Sequence, residues 1–98
     1  MDVFAAVADP ARRQIMSALA RGDLSAGEVA ALFPITRPAV SRHLRVLREA
    51  GLVRTRLDGR KRLLSLRTDD VDACFPGLLN AVLSAKRSAR DQRTPTAA

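Results

Sequence analysis

The chain has 98 residues, enough for a single modest core and too few for two domains. Seventeen basic against ten acidic residues leave a net charge of +7, while no apolar run approaches the roughly 20 residues needed to cross a bilayer, which excludes stable membrane insertion. One cysteine, Cys74, excludes an internal disulfide and an all-cysteine metal site within one chain.

The charge is concentrated. Between Thr36 and Arg67 ten Lys/Arg stand against Glu49 and Asp58, a net of +8, and the remaining residues together carry −1. A field gathered on so short a stretch favours a polyanion and makes binding salt-dependent through counterion release. The N-terminus opens with an acid and lacks the basic flank and long apolar stretch of a cleavable secretion signal, so a cytoplasmic location is expected.

In chain order, Val3, Phe4 and Val7 form a short apolar patch ahead of Asp9-Pro10. There Asp caps a helix and Pro occupies its first position. That helix runs to about Arg21, with Ile15 and Leu19 on its buried stripe and Gly22 at its end. Arg12 and Arg13 project elsewhere and read as solvated or paired with an aspartate. Ser25 to Glu28 has capping-box spacing and starts a third helix, whose apolar face is Val29, Leu32 and Phe33 and whose stop is Pro34. Only Pro34-Ile35 separates it from the next cap, Thr36, so the pair reads as a helix-turn-helix with the second helix as groove reader.

The second helix, Thr36 to Gly51, is the basic amphipathic one. Val40, Leu44 and Leu47 fall on one face at 3.6 residues per turn. Opposite lie Pro38, Ser41, Arg42, Arg45 and Glu49, with Arg37 free near the start. Forked guanidinium donors and a short hydroxyl suit a major groove, where Arg bonds a guanine edge bidentately. Leu52 to Leu66 reads as two strands around Asp58-Gly59, a dipeptide suited to a type I' hairpin turn. Arg54, Arg56, Arg60, Lys61 and Arg62 sit on or beside its tip, and with the reading helix they are expected to form one nucleic-acid surface.

Thr68, Asp69 and Asp70 offer caps for a last helix with apolar positions Val71, Phe75, Leu78 and Val82, interrupted by Pro76-Gly77. Leu79 and Leu83 extend this apolar surface beyond what one small core absorbs, which calls for a partner. Residues 89–98 show no hydrophobic period and read as a frayed tail. The expected fold is mainly α with a two-stranded β-hairpin, a winged helix-turn-helix over residues 1–88.

The run RPAVSRHLRVLREAGLV, with DPARRQIMSAL before it and the wing DGRKRLLSL after it, resembles the ArsR-type bacterial transcriptional repressors. The resemblance implies a homodimer, paired through its first and last helices, that binds an imperfect palindrome in double-stranded DNA near its own promoter. Carried over by position, Thr36 to Ala50 is the reading helix, with Arg37, Ser41 and Arg42 facing the groove. Arg54 to Arg62 is the wing, along a phosphate backbone or neighbouring minor groove. Metal-sensing members carry a C-x-C type motif before the turn or His/Asp/Glu clusters on the last helix. ALFPI at 31 to 35 has no cysteine, so no metal is expected and the chain resembles the metal-independent branch, where a membrane partner or an unknown effector relieves repression.

The assigned DNA-binding set is therefore Thr36, Arg37, Pro38, Ser41, Arg42, His43 and Arg45 with Arg54, Arg56, Arg60, Lys61 and Arg62. The dimerisation set is Val3, Phe4, Val7, Phe75, Leu78, Leu79, Val82 and Leu83. For His43, the one histidine, a phosphate or base contact, a half-buried structural imidazole and a metal ligand stay open. Cys74, beside Phe75, reads as a small buried hydrophobe. Ser41 and His43 are two positions apart and point different ways, so they make no nucleophile pair. With no Gly-rich phosphate loop and no cluster of acids, neither catalysis nor a cofactor is expected. Two functions compete: a sequence-specific repressor, and a winged-helix module that binds another protein. Density of charge on reading helix and wing together favours the first.

Overall fold

The computed structural model describes residues 2–84; the expected tail at 89–98 lies outside them. The first helix, α1 (Val3–Val7), is capped by Asp2, whose carboxylate accepts from the Phe4 amide at 2.9 Å. Five residues make too few helical bonds to stand alone. Two guanidinium groups from the next helix hold it. Arg12 donates from Nε to the Ala6 carbonyl at 2.7 Å and from Nη2 to that of Ala5 at 3.2 Å. Arg13 Nη1 donates to the carbonyls of Val7 at 2.8 Å and Ala8 at 2.9 Å. The carbonyls at the end of a helix lack intrahelical donors, and cations are favoured there. Arg12 does approach Asp9, at 3.7 Å. Its principal bonds, however, go to backbone, which the expectation of a solvated or Asp-paired arginine did not include.

Helix α2 (Pro10–Arg21) starts at Asp9, whose Oδ1 accepts from the amides of Ala11 and Arg12, and ends at Gly22. Helix α3 (Ala26–Leu32) carries the capping box in both directions: the Glu28 amide donates to Ser25 Oγ at 3.1 Å and the Ser25 amide to Glu28 Oε1 at 2.9 Å. Val29 is its one fully buried side chain. Leu32, expected on the apolar face, is 57% exposed. The backbone leaves the helix at Phe33 (φ −128°, ψ 148°), so Phe33 and Ile35 turn back onto the core in its place.

Helix α4 (Arg37–Glu49) begins at Thr36, whose Oγ1 accepts from the Ala39 amide at 3.3 Å, with proline in its first turn. It buries Val40, Leu44 and Leu47 against Ile15, Met16 and Leu19 of α2 and Val29 of α3. Three side chains of this size, moved from water into the core, contribute about 1.5 to 3 kcal/mol each. Gly51, at φ +79°, follows the end of the helix in the left-handed conformation that glycine adopts without penalty.

Strands β1 (Val53–Asp58) and β2 (Lys61–Leu66) pair antiparallel from Val53 opposite Leu66 to Asp58 opposite Lys61. That register makes Gly59-Arg60 the two turn residues. The type I' turn expected at Asp58-Gly59 does not form, since such a turn needs positive φ at both central positions and only Gly59, at +63°, has it. A positive φ at the first position alone suits a type II' turn. Leu24 adds a short third rung, exchanging both backbone bonds with Leu64 at 3.2 and 2.7 Å.

Helix α5 (Thr68–Cys74) starts at Arg67 and has no side-chain cap, so Thr68, Asp69 and Asp70 do not cap it as expected. They occupy its first turn, where Asp70 accepts from Arg67 Nε at 3.0 Å. Phe75, Pro76 and Gly77 interrupt the chain, and helix resumes at 78–84, here α6. The break resets the helical phase. Leu79, expected to spill beyond the core, is 3% exposed and belongs to it, with Val71 and Val82. Cys74 is exposed, contrary to its reading as core. The helix ends there, and Val71 and Phe75 take the inward positions instead.

Candidate nucleic-acid interface

With its apolar stripe anchored, α4 has one orientation open to it, and Thr36, Arg37, Pro38, Ser41, Arg42 and Arg45 are all exposed. Positions 37, 41 and 45 follow one another at four-residue spacing along the helix. Arg42 lies further round, toward the far side from the core. Among the described residues, neither Arg37 nor Arg42 enters an ion pair. Arg45 donates to Glu49 at 3.1 Å, but both side chains are open to solvent, 75% and 45%. An exposed pair four residues apart contributes roughly 0.3 to 0.5 kcal/mol, far less than an anion in the groove would offer the same guanidinium.

His43 occupies the opposite flank, half-buried against α2, with Nδ1 3.4 Å from Arg12 Nη1. Arginine only donates, so a hydrogen bond here requires an unprotonated Nδ1. The imidazole thereby joins the reading helix to the same guanidinium that closes α1. Among the described residues no group of three or more His, Cys, Asp or Glu is arranged to hold a metal ion. No helix of the described residues is long and apolar enough to cross a membrane.

Strand alternation divides the basic residues of the wing. In the observed register Thr55, Leu57, Arg62 and Leu64 share one face, and Arg54, Arg56, Lys61 and Leu63 share the other. Thr55 and Arg62 look toward α4 across a cleft whose floor is Leu44 and Leu64. Arg56 is exposed but tied to the loop after α2: its Nε donates to Asp23 Oδ2. That bond, helped by the Ser65 hydroxyl and opposed by partial burial, holds the Asp23 carboxyl below its ordinary value of 3.8. The expected single surface therefore lacks Arg56 in its free form. Arg54, Arg60, Lys61 and Arg62 are exposed and, among the described residues, carry no ion pair.

The eight residues assigned to dimerisation also divide. Val3, Leu79 and Val82 are buried in the subunit's own core, while Val7, Phe75, Leu78 and Leu83 are half-buried against it. Phe4 stands out at 62% exposed, its ring edge-on to Phe75 with centroids 5.9 Å apart. One basic residue on the groove side escaped the sequence reading. Arg48 is exposed in the last turn of α4 and lines the cleft toward the wing. The signal for it was available, since it lies seven positions after Ser41 and so returns to the same side of the helix.

A capped reading helix after a short turn, followed by a basic hairpin, defines a winged helix-turn-helix protein of the DNA-binding class. The pattern described as "Bacterial regulatory protein, arsR family" matches residues 9–55. The chain is 35% identical over 81 residues to the transcriptional repressor SdpR of Bacillus subtilis, covering 83% of this chain and 90% of that protein. It is 47% identical over 72 residues to the HTH-type transcriptional regulator Rv2034 of Mycobacterium tuberculosis, covering 65% and 67%. Among solved structures, the ArsR-like transcriptional regulator from Rhodococcus sp. RHA1 superposes with a TM-score of 0.69 at 29% identity, covering 96% of this chain and 91% of that one. The chain belongs to the ArsR family of bacterial transcriptional regulators.

Proposed function

We propose that this protein is a sequence-specific repressor that binds double-stranded DNA as a homodimer, acts in the cytoplasm and controls its own promoter. Residues 1–88 form its DNA-binding and dimerisation unit. The observation that carries the reading is the outer face of α4, where Arg37, Ser41 and Arg42 stand in solvent with no carboxylate partner among the described residues. Such a face is well matched to guanine edges and phosphates. Likeness to a named repressor over most of the chain supports the same conclusion. No residue is assigned a catalytic role. Relief of repression is assigned to an effector or membrane partner, with no metal.

In this reading α4 enters the major groove, the wing follows the backbone or the adjacent minor groove, and α1 with the last helical segment pairs the subunits around Phe4. Two reading helices then reach successive major grooves roughly 34 Å apart. Selection from a random duplex pool tests it and should return an imperfect palindrome. Fluorescence anisotropy on that site at increasing salt should give a log K against log salt slope of about −5, for about six phosphates neutralised per dimer. A pool that yields no preferred sequence, or a slope indistinguishable from zero, would falsify the assignment.

A further inference from the structure

Resting on the repressor reading, we infer that the cleft between α4 and the wing is a seat for the sugar-phosphate backbone of one DNA strand, with Arg48 and Arg62 as its two walls. The cleft has a volume of about 440 Å³ and is lined by Ala26, Leu44, Arg48, Thr55, Arg62 and Leu64. Leu44 and Leu64 are 2% and 4% exposed, so its floor is closed and apolar. Its walls are cationic. Arg48 comes from the last turn of the reading helix and Arg62 from the second position of β2.

Two arginines line one cleft and no acidic side chain lines it with them, so its potential favours an anion. On the flanking helices Glu49 is engaged with Arg45 and Glu28 with the Ser25 amide. Thr55 adds a hydroxyl donor to the wall. Exposed cations, a hydroxyl and a shallow apolar floor suit a diester backbone passing through, since a base edge would find no acceptor or donor at the bottom.

Topology specifies which strand. A helix in the major groove and a hairpin in the adjacent minor groove are separated by the one backbone that divides those grooves, and the cleft lies between these two elements. Arg48 also continues the groove side of α4, seven residues beyond Ser41, so helix and wing grip that strand from opposite sides. The carbonyls at this end of α4 are already bonded, by the amides of Ala50, Gly51 and Leu52, which leaves the Arg48 guanidinium free for an external anion.

The test is a methylphosphonate scan of the selected operator, in which single phosphates are replaced by neutral groups and affinity is read by anisotropy. Wild-type protein should lose about tenfold at one backbone position in each half-site, the loss expected for a charge-assisted hydrogen bond. R48A should bind the unmodified operator about tenfold more weakly or worse and lose less than the wild type to the neutral group at that position, where Arg62 alone remains. R62A should lose sensitivity at the same position, and its salt slope, like that of R48A, should fall by about 2 for a dimer. Circular dichroism establishes that each variant is folded; both side chains are exposed, and either variant alone reports on the seat. Operator binding in which R48A and R62A keep the full wild-type profile overturns the seat while leaving the repressor reading intact. Absence of operator binding by the wild-type chain removes both.

Discussion

Deleting the Arg12 guanidinium tests how the short first helix is held. Arg12→Ala removes two charge-assisted bonds, to the carbonyls of Ala6 at 2.7 Å and Ala5 at 3.2 Å, and the contact to His43 at 3.4 Å. Bonds of this type contribute about 1.5 to 3 kcal/mol. The low end applies, because the Arg12 side chain keeps 17% of its exposure and water can reach the vacated carbonyls in part. Two such bonds then amount to about 3 kcal/mol, a large share of the roughly 5 to 15 kcal/mol by which domains are stable. In a domain of this size 1 kcal/mol moves the melting temperature by about 4 to 8 °C, so a fall of roughly 12 to 24 °C is expected. Urea unfolding followed by circular dichroism should show a lower midpoint at unchanged slope, since the area buried on folding stays nearly the same. Arg12→Lys keeps the charge but has one ammonium where a fork spans two carbonyls, and should fall between the two. An alanine variant melting within about 4 °C of the wild type would mean that α1 is held by the burial of Val3 and Ala6 alone, and the clasp would be an incidental contact.

Arg42→Ala should cost about 1 to 3 kcal/mol on the selected operator and relax the choice at one base pair, whereas Lys61→Ala should weaken specific and random duplexes alike; equal losses on both kinds of DNA for both variants would contradict the division between reading helix and wing. Phe4→Glu, at a position already 62% exposed in the subunit, should leave the fold intact and convert the dimer to monomer in sedimentation velocity; a variant that stays dimeric moves the interface elsewhere. Stability should fall in acid. The Asp23 carboxyl is held below 3.8 chiefly by Arg56, and the Glu28 carboxyl below 4.5 by the Ser25 amide. At Asp9 burial pushes upward, but the amides of Ala11 and Arg12 together with the Arg12 charge outweigh it and hold the group below 3.8. A carboxyl lowered on folding stabilises fully above its ordinary value and loses that contribution as pH drops through the lowered one. Thermal melts should therefore be flat above about pH 5 and decline steeply below about pH 4. Asp23→Asn should shallow the decline, and a variant with the wild-type profile would show that the Asp23 to Arg56 bond contributes nothing to it.

Much of the architecture could be read without coordinates because it rests on local chemistry. Asp9-Pro10, the Ser25 to Glu28 box, Thr36 and Gly51 act within a few residues of themselves, and all four appear as caps or stops in the fold. The apolar spacing of Val40, Leu44 and Leu47 depends on helical period alone, which is why the basic face of α4 could be oriented in advance. Turn type depended on more. Asp58-Gly59 suits a hairpin wherever it occurs, yet the pairing register, with Asp58 opposite Lys61, moved the turn one residue on.

What sequence spacing determined here is the set of elements, their order, and which side of the reading helix faces solvent, because these follow from interactions between residues near in the chain. Only the tertiary structure decided which charges remain free. Arg56 and Asp23 are far apart in sequence and meet because Leu24 pairs with Leu64, and Arg12 meets His43 because α2 packs on α4. Burial of Leu79 and exposure of Cys74 were likewise decided by the break at residues 75 to 77, whose effect on helical phase no periodicity count can supply.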